Sequence, residues 1–206
     1  NIADLPAVLS LATRLGSLHF MVTNVLPYTP EMQEEILYSR AVTDSIYISS
    51  PLLRSLDFPK IDVSPATREA LYQAMRGDHY LSISGAGFGE RNNRCPFIDK
   101  GSVAIRWDGE VSPCLALMHD HRIYLYKYER AIKRHSVGNV RDQSIDQIWN
   151  KPEYLALRSR LQEFNFSPCL MCGGCELFES NQEDCIGSPA PACGGCLWAQ
   201  GIIQCP

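Results

Sequence analysis

Residues 169–206 read CLMCGGCELFESNQEDCIGSPAPACGGCLWAQGIIQCP, and this stretch contains seven of the nine cysteines in the chain. Three of the steps from one cysteine to the next leave two residues between the thiols. Few of the other residues in the stretch are suited to forming a hydrophobic core. We therefore expect bound metal, held by these thiols, to organise this part of the chain.

The composition is that of a folded protein, because 45% of the 206 residues are hydrophobic and 20% are charged. A net charge of −4 without a basic stripe gives no electrostatic basis for binding nucleic acid. The longest basic cluster, residues 127–134, is interpreted as the solvated face of a helix.

The sequence contains no signal peptide and no apolar run that would cross a bilayer, so we expect a cytoplasmic protein without membrane contact. Disulfides are rare in that compartment, where clustered cysteines usually bind metal. Because the sequence starts at Asn1 inside a helical pattern, we also expect it to be part of a longer protein.

The first ninety residues alternate between helical and strand patterns, which predicts part of a parallel α/β layer, most simply a piece of a barrel. Three helices are predicted. The first follows Asp4, has Val8, Leu11, Ala12 and Leu15 on one face, and stops at Gly16. The second begins at Thr29-Pro30, and the third begins at Ser64-Pro65 and ends at Gly77. The predicted strands are Leu18–Leu26, buried on both faces, Ile46–Ile48 and Tyr80–Ser84.

Glycines at residues 84–89 predict a domain boundary, with residues 1–89 before it and residues 90–206 after it. Their spacing does not match a dinucleotide-binding loop, so a flexible connection is the preferred interpretation. Beyond Cys95 the pattern predicts a β-hairpin around Asp108-Gly109. Two helices should follow, one capped by Ser144 and one beginning at Pro152 with Tyr154, Leu157, Leu161 and Phe164 on one face.

The spacing of the cysteines favours iron–sulfur clusters. Cys169, Cys172 and Cys175 suit three corners of a cubane, whose fourth ligand commonly lies at a distance and precedes a proline, as Cys205 does. Cys193 and Cys196 form a further pair, and the hairpin would bring Cys95 and Cys114 together. Two structural zinc sites remain an alternative, since pairs of this spacing bind either metal.

The segment from Cys95 through Gly109 to Cys114 resembles the opening of the SPASM domain. This cysteine-rich domain follows the barrel of many radical S-adenosylmethionine (SAM) enzymes. Residues 138–150 and the cysteine-rich end extend the resemblance across residues 90–206. An insertion, residues 176–192, departs from the usual family spacing and contains Cys185.

The resemblance implies two auxiliary 4Fe–4S clusters with eight cysteine ligands. It implies that Cys95, Cys114 and Cys196 serve the first cluster. It implies that Cys169, Cys172, Cys193 and Cys205 serve the second. Cys175 or Cys185 would then complete the first site or remain free, and Cys185 is our choice for the spare thiol.

Three stretches are similar to the radical SAM maturases associated with tungsten-containing aldehyde oxidoreductases. They read TNVLPYTPEM at residues 23–32, VAIRWDGEVSPCLALMH at residues 103–119 and CGGCLWAQGIIQCP at residues 193–206. The C-x3-C-x2-C motif that holds the SAM cluster in this family is missing from the sequence. This chain is therefore expected to be the C-terminal part of such an enzyme and not to cleave SAM alone.

In the full-length parent, the resemblance implies SAM and a third 4Fe–4S cluster, which together generate a 5′-deoxyadenosyl radical. The auxiliary clusters would accept an electron from the substrate radical or bind substrate at an open iron. The expected partners are a protein or peptide substrate, such as a tungsten oxidoreductase, and an electron donor such as ferredoxin or flavodoxin. Modification of a ribosomal peptide and a non-catalytic, zinc-stabilised binding module are the alternatives.

A few other residues have two interpretations. Trp107 and Trp198 would shield clusters from solvent or, more ordinarily, pack in a core. His119 and His121 would replace a thiolate ligand or lie at the surface. Asn24, at the end of a predicted strand, would contact cofactor at the barrel mouth or cap backbone groups.

Overall fold

The computed structural model describes residues 1–39, 61–76, 80–83, 93–126, 128–167, 169–172 and 175–204. The side chains of Tyr80, Met171 and Cys172 are excluded from the description. Several sequence predictions lie outside these residues: the strand at residues 46–48, the helix stop at Gly77, the loop at residues 84–89, and Cys205.

Within the described residues the fold is mixed α/β. The α-helices are α1 Leu5–Arg14, α2 Arg68–Met75, α3 Pro96–Asp99, α4 Ile145–Trp149, α5 Pro152–Glu163 and α6 Cys169–Cys172. Short 3-10 helices span Ile2–Asp4, Pro30–Glu35, Leu115–Leu117 and Glu176–Glu179. The strands are β1 His19–Val22, β2 Tyr80–Ile83, β3 Ala104–Ile105, β4 Glu110–Ser112, β5 His121–Leu125, β6 Tyr128–Ile132 and β7 Gly138–Asn139. None of the described helices combines the length and apolar character needed to span a membrane.

Strands β1 and β2 pair in parallel, with Phe20 opposite Leu81, as the alternating pattern predicts. The predicted face of α1 is wrong at three of its four positions, because Val8, Leu11 and Leu15 are exposed. The stripe that packs against β1 and α2 contains Leu5, Leu9 and Ala12 instead.

Strand β1 is also not buried on both faces. Phe20 is buried, but Met21 on the opposite face is exposed. One parallel pair and its helices are a mixed α/β arrangement, and the barrel stays a prediction.

The predicted β-hairpin forms between β3 and β4, and β7 extends it into an antiparallel sheet of three strands. Gly109 occupies the left-handed region, with φ of +86°, in the turn. A Cβ atom there would lie 2.5 Å from Oδ1 of Asn139, which is on β7. Glycine is therefore required both by the turn and by the strand that packs beside it. Asp108 accepts a hydrogen bond from the Glu110 N–H at 3.3 Å, which is the turn chemistry the sequence predicts.

The predicted solvated helix at residues 127–134 is wrong, because Tyr128–Ile132 forms β6 and pairs with β5 in an antiparallel hairpin. Side chains alternate across a strand, so every second residue points the same way. Arg130 lies on the inner face and is 1% exposed, whereas its neighbour Glu129 is exposed. The basic cluster at residues 127–134 therefore places one of its cations, Arg130, in the interior.

The two predicted helices after β7 are confirmed. Ser144 caps α4 with a complete capping box, in which its hydroxyl accepts from the Gln147 N–H and the Gln147 side chain accepts from the Ser144 N–H. The inner face of α5 packs into one hydrophobic core with α3 and with residues 193–196, which are called the CGGC segment below. The buried members of that core are Ile98, Tyr154, Leu157, Leu161, Phe164, Phe166 and Ala199.

A second core joins the segment after β1 to the cysteine-rich region. Tyr38 is fully buried in it together with Leu125, Phe178 and Ile202. Backbone contacts reinforce the junction, because the Tyr124 N–H donates to the Pro27 carbonyl at 2.8 Å. Residues 24–38 thus share a core with residues far along the chain, while the division at residue 89 stays a prediction.

We expect Leu157→Ala to lower the free energy of unfolding of the metal-free protein by about 2–5 kcal/mol, because it leaves a cavity in the core of α5. The matched control is Leu155→Ala on the same helix, where the side chain is 44% exposed. That control should stay within about 0.5 kcal/mol of wild type in urea denaturation. Equal losses in both variants would contradict the packing of α5.

Candidate iron–sulfur site

Four cysteines line one cavity of about 60 Å³: Cys95, Cys114, Cys193 and Cys196. Most of the remaining wall is apolar, with Leu117, Leu161 and Trp198 among its residues. The structure therefore brings together thiols from three separate parts of the sequence in a largely apolar enclosure.

Local structure sets the positions of the first two thiols. Cys95 is the N-cap of α3, and its carbonyl accepts from the Asp99 N–H at 3.0 Å. Cys114 directly follows Pro113 at the end of β4, and its carbonyl accepts from the Ser112 hydroxyl at 3.0 Å. The hairpin thus carries Cys114 to the cavity that Cys95 lines, as the sequence predicts.

Cys193 and Cys196 lie on one turn, closed by a hydrogen bond of 3.0 Å from the Cys196 N–H to the Cys193 carbonyl. The glycines between them fit against protein groups. A Cβ atom on Gly194 would lie 1.8 Å from the Ser167 carbonyl oxygen, and one on Gly195 would lie 2.8 Å from Cζ of Arg130. Gly194 therefore needs to be glycine to pack against the backbone, whereas a side chain at Gly195 would displace the Arg130 guanidinium.

Cys169 is buried and belongs to a different group of side chains. Its Sγ lies 3.1 Å from the Ser167 hydroxyl, and the Ser167 N–H donates to Oδ2 of Asp184 at 3.0 Å. Burial raises the pKa of the Cys169 thiol, and the nearby Cys185 adds a smaller effect in the same direction. Cys175 and Cys185 are exposed, so neither lies in the wall of the four-cysteine cavity.

Arg130 interacts electrostatically with thiols of both groups. Its side chain is buried and forms part of the cavity wall, and its pKa responds to Cys169 as well as to Cys196 and Cys193. Nη1 donates to the Phe178 carbonyl, and Cζ lies 5.1 Å from the centroid of the Phe178 ring. Nε has no hydrogen-bond partner within the described part of the chain. Burial lowers the pKa of this guanidinium, which signals the cost of enclosing a cation.

The insertion at residues 176–192 is attached to the strand that carries Arg130. Asn181 exchanges two hydrogen bonds with the backbone of Lys133, at 2.8 and 3.0 Å. The buried carboxylate of Asp184 accepts from the N–H groups of Ile186 and Ser188, which shapes the loop. The insertion is thus a packed part of the site.

The chemistry of the donor set fits a metal cluster. Burial raises the pKa of Cys95 to about 11, and it also raises the pKa values of Cys193 and Cys196. Soft thiolate ligands select zinc, copper(I) and iron–sulfur clusters, and metal binding releases the thiol protons. Among the described residues, no three cysteine, histidine or acidic side chains converge on a point where a single ion would bind. The four thiols instead line one cavity.

Other predicted residues lie away from this cavity, with one exception. Trp198 lines it, whereas Trp107 is 85% exposed at the hairpin turn. The Nδ1–H of His121 donates to the His119 carbonyl at 3.0 Å, and its ring packs edgewise on Tyr28. Neither histidine is part of the cavity wall.

Asn24 makes a backbone contact: its side-chain amide donates to the Ile202 carbonyl at 2.8 Å. A cofactor contact by Asn24 stays a prediction, as do the ligand roles of Cys172 and Cys205. Sequence reasoning missed Arg130, although the alternation of Tyr128, Arg130 and Ile132 is a strand signal that would have placed it beside two apolar side chains.

In the reduced, metal-free protein, limiting iodoacetamide at about pH 8 should alkylate Cys175 and Cys185 before Cys95 and Cys193. The thiolate is the nucleophile, and a thiol whose pKa is about 11 is ionised in about one molecule in a thousand at that pH. Mass spectrometry of peptides gives the order of labelling, and urea-unfolded protein is the control in which all four react alike. Labelling of Cys193 as fast as Cys185 in the folded protein would contradict the enclosed site.

The comparisons with known proteins agree with this geometry. Residues 95–176 match the SPASM family model, an iron–sulfur cluster-binding domain. The whole chain is 30% identical to the tungsten-containing aldehyde ferredoxin oxidoreductase cofactor-modifying protein of Pyrococcus furiosus and spans 52% of that protein's length. No solved structure matches the chain significantly. Residues 95–176 are thus similar to SPASM iron–sulfur cluster-binding domains, and the chain as a whole is similar to part of a tungsten oxidoreductase cofactor-modifying protein.

Proposed function

We propose that this chain is the auxiliary-cluster portion of a cytoplasmic radical SAM maturase that acts on a tungsten-containing aldehyde oxidoreductase or its cofactor. The observation that carries the proposal is the enclosure of four cysteines from three parts of the sequence around one cavity. The SPASM match and the relative's printed role support it.

The first cluster would be held by Cys95, Cys114, Cys193 and Cys196. The family resemblance implies Cys193 for the other cluster, but its position in this cavity favours the grouping proposed here. When bound, a cubane with four thiolate ligands supplies one-electron transfer. Four ligands leave no iron open for substrate, so this site favours electron transfer over substrate binding.

The second cluster would use Cys169, Cys172, Cys205 and one exposed thiol, for which we propose Cys175, leaving Cys185 as the spare. Cys169 shares a hydrophobic core with Ile203, two residues before Cys205 in the sequence. Ser167 would donate a hydrogen bond to the Cys169 thiolate, since the two side-chain atoms lie 3.1 Å apart. Hydrogen bonds to cluster sulfurs are one of the means by which proteins set reduction potentials.

A zinc-stabilised module is the competing function for the same thiols. Zinc would require its four ligands to converge within about 2.3 Å of one point, as Zn–S bonds are that long. No such convergence occurs among the described residues. The match to an iron–sulfur cluster-binding domain supports the cluster over zinc.

The catalytic part of the reaction belongs to the longer protein in this proposal. Residues 1–89 would complete a radical SAM barrel, where SAM and a third 4Fe–4S cluster bind, and ferredoxin or flavodoxin would supply electrons. Modification of a ribosomal peptide is the alternative reaction, and the printed role of the relative favours the tungsten enzyme.

After anaerobic reconstitution, the wild-type chain should contain about eight irons with matching sulfide, which is two cubanes. The double variant Cys193→Ser/Cys196→Ser should lose about four of those irons, because it removes two ligands of one site. Cys185→Ser is the matched control and should retain the full content. About two zincs without sulfide in the wild type would instead establish the zinc module.

The double variant Cys169→Ser/Cys172→Ser should also lose about four irons, and they should belong to the other cluster. Electron paramagnetic resonance of the reduced protein should then show one signal in each double variant, and the two signals should differ. Unchanged iron content would remove Cys169 and Cys172 from the second site. A loss of iron in Cys185→Ser would show that Cys185 is the ligand and that Cys175 is the spare thiol.

A further inference from the structure

Arg130 is the one residue at this site whose charge the proposed ligand chemistry does not explain. It is the largest fully buried side chain in the described part of the chain, and it forms no salt bridge there. Its hydrogen bond to the Phe178 carbonyl satisfies one N–H group but leaves the charge itself unpaired. An unpaired buried cation is costly, so a compensating negative charge is expected close by.

Neutralisation of Arg130 itself is not a solution. Burial lowers the pKa of the guanidinium, yet arginine stays protonated in proteins because its ordinary pKa is so high. The groups whose charge the guanidinium senses are Cys169, Cys196 and Cys193. As neutral thiols they offer it no charge, whereas thiolates bound to iron do.

The proposed clusters would supply that charge. Four thiolates carry more negative charge than the positive charge of the iron–sulfur core, so the ligated cluster is a net anion. One-electron reduction adds one further negative charge to the cluster and needs no proton. A nearby fixed cation stabilises the reduced form more than the oxidised form, and net charge around a cluster is one determinant of its potential.

The guanidinium is also held in position. Gly195 leaves the space that it fills, because a Cβ atom there would lie 2.8 Å from Cζ and 2.9 Å from Nη1. The Phe178 ring also packs against it, with the ring centroid 5.1 Å from Cζ. Gly195 belongs to the CGGC segment that carries two of the proposed ligands, so one turn of backbone positions both the thiols and the cation.

We propose that Arg130 is the shared counter-cation of the two iron–sulfur sites and holds the reduction potentials of their clusters above the values that they would otherwise have. The inference rests on the proposed function, since it requires both clusters. A one-electron donor of the ferredoxin or flavodoxin class would then reduce the two clusters more readily. Arg130 acts on the clusters through its charge in this role and is not itself a ligand of the iron.

The test is a redox titration of the reconstituted full chain, followed by electron paramagnetic resonance. In Arg130→Gln the potential of at least one cluster should fall so that its reduction equilibrium constant drops tenfold or more, which is about 59 mV for one electron. Arg130→Lys keeps the charge and should stay closer to wild type. Arg122→Gln removes an arginine from the exposed side of the neighbouring strand and should change nothing.

A second variant separates charge from folding. Gly195→Ala keeps every thiol and every charge but forces the guanidinium away from its position, so it should shift the potential in the same direction as Arg130→Gln. Loss of iron from Arg130→Gln with full loading of Arg130→Lys would also support the counter-cation role, because both variants lose the guanidinium but only one loses the charge.

The outcomes that overturn the inference differ from those that overturn the proposed function. If the reconstituted wild-type protein contained neither iron nor sulfide, the proposed clusters themselves would be wrong. Fully loaded Arg130→Gln with wild-type potentials would leave the clusters in place and reduce Arg130 to a structural contact with Phe178. If both Arg130 variants lost iron and the Gly195→Ala potential did not shift, Arg130 would likewise be only a structural contact.

Discussion

The Arg130 guanidinium has almost no contact with water and lies in the wall of the four-cysteine cavity, so the surrounding structure has to accommodate its charge. The backbone carbonyl of Phe178 accepts one of its hydrogen bonds, and the Phe178 ring packs against it. Gly195 lacks the side chain that would otherwise occupy its space. A buried cation of this kind is stable where anions are bound beside it, and the proposed clusters would be those anions.

The segments around this cation depend on one another. The insertion at residues 176–192 contributes Asn181, which bonds to the backbone of Lys133 directly after β6, and Asp184, which accepts from the Ser167 N–H beside Cys169. The CGGC turn packs against Ser167 through Gly194. An insertion that interrupts the usual family spacing is therefore integrated by hydrogen bonds into the support of the thiols, which explains how the site tolerates it.

Local patterns in the sequence were sufficient for the elements whose signals are local. The capping box at Ser144, the turn at Gly109 and the inner face of α5 all follow from residues within a few positions of one another. The packed face of α1 and the strand that carries Arg130 could not be read in this way, because burial there is decided by distant partners. The grouping of Cys193 with Cys95 likewise depends on packing between segments nearly a hundred residues apart.

Contacts between residues 23–24 and residues 202–204 have a consequence for the synthesis of the protein. The hydrogen bond from Asn24 to Ile202 spans 178 residues, and that from Gln204 to Thr23 spans 181. At about 5–20 residues per second, translation of that interval takes roughly 9 to 36 s. During this time Tyr38 lacks most of the apolar partners that surround it in the finished core. The nascent chain therefore carries unprotected apolar surface on the ribosome, where chaperone binding would limit its aggregation.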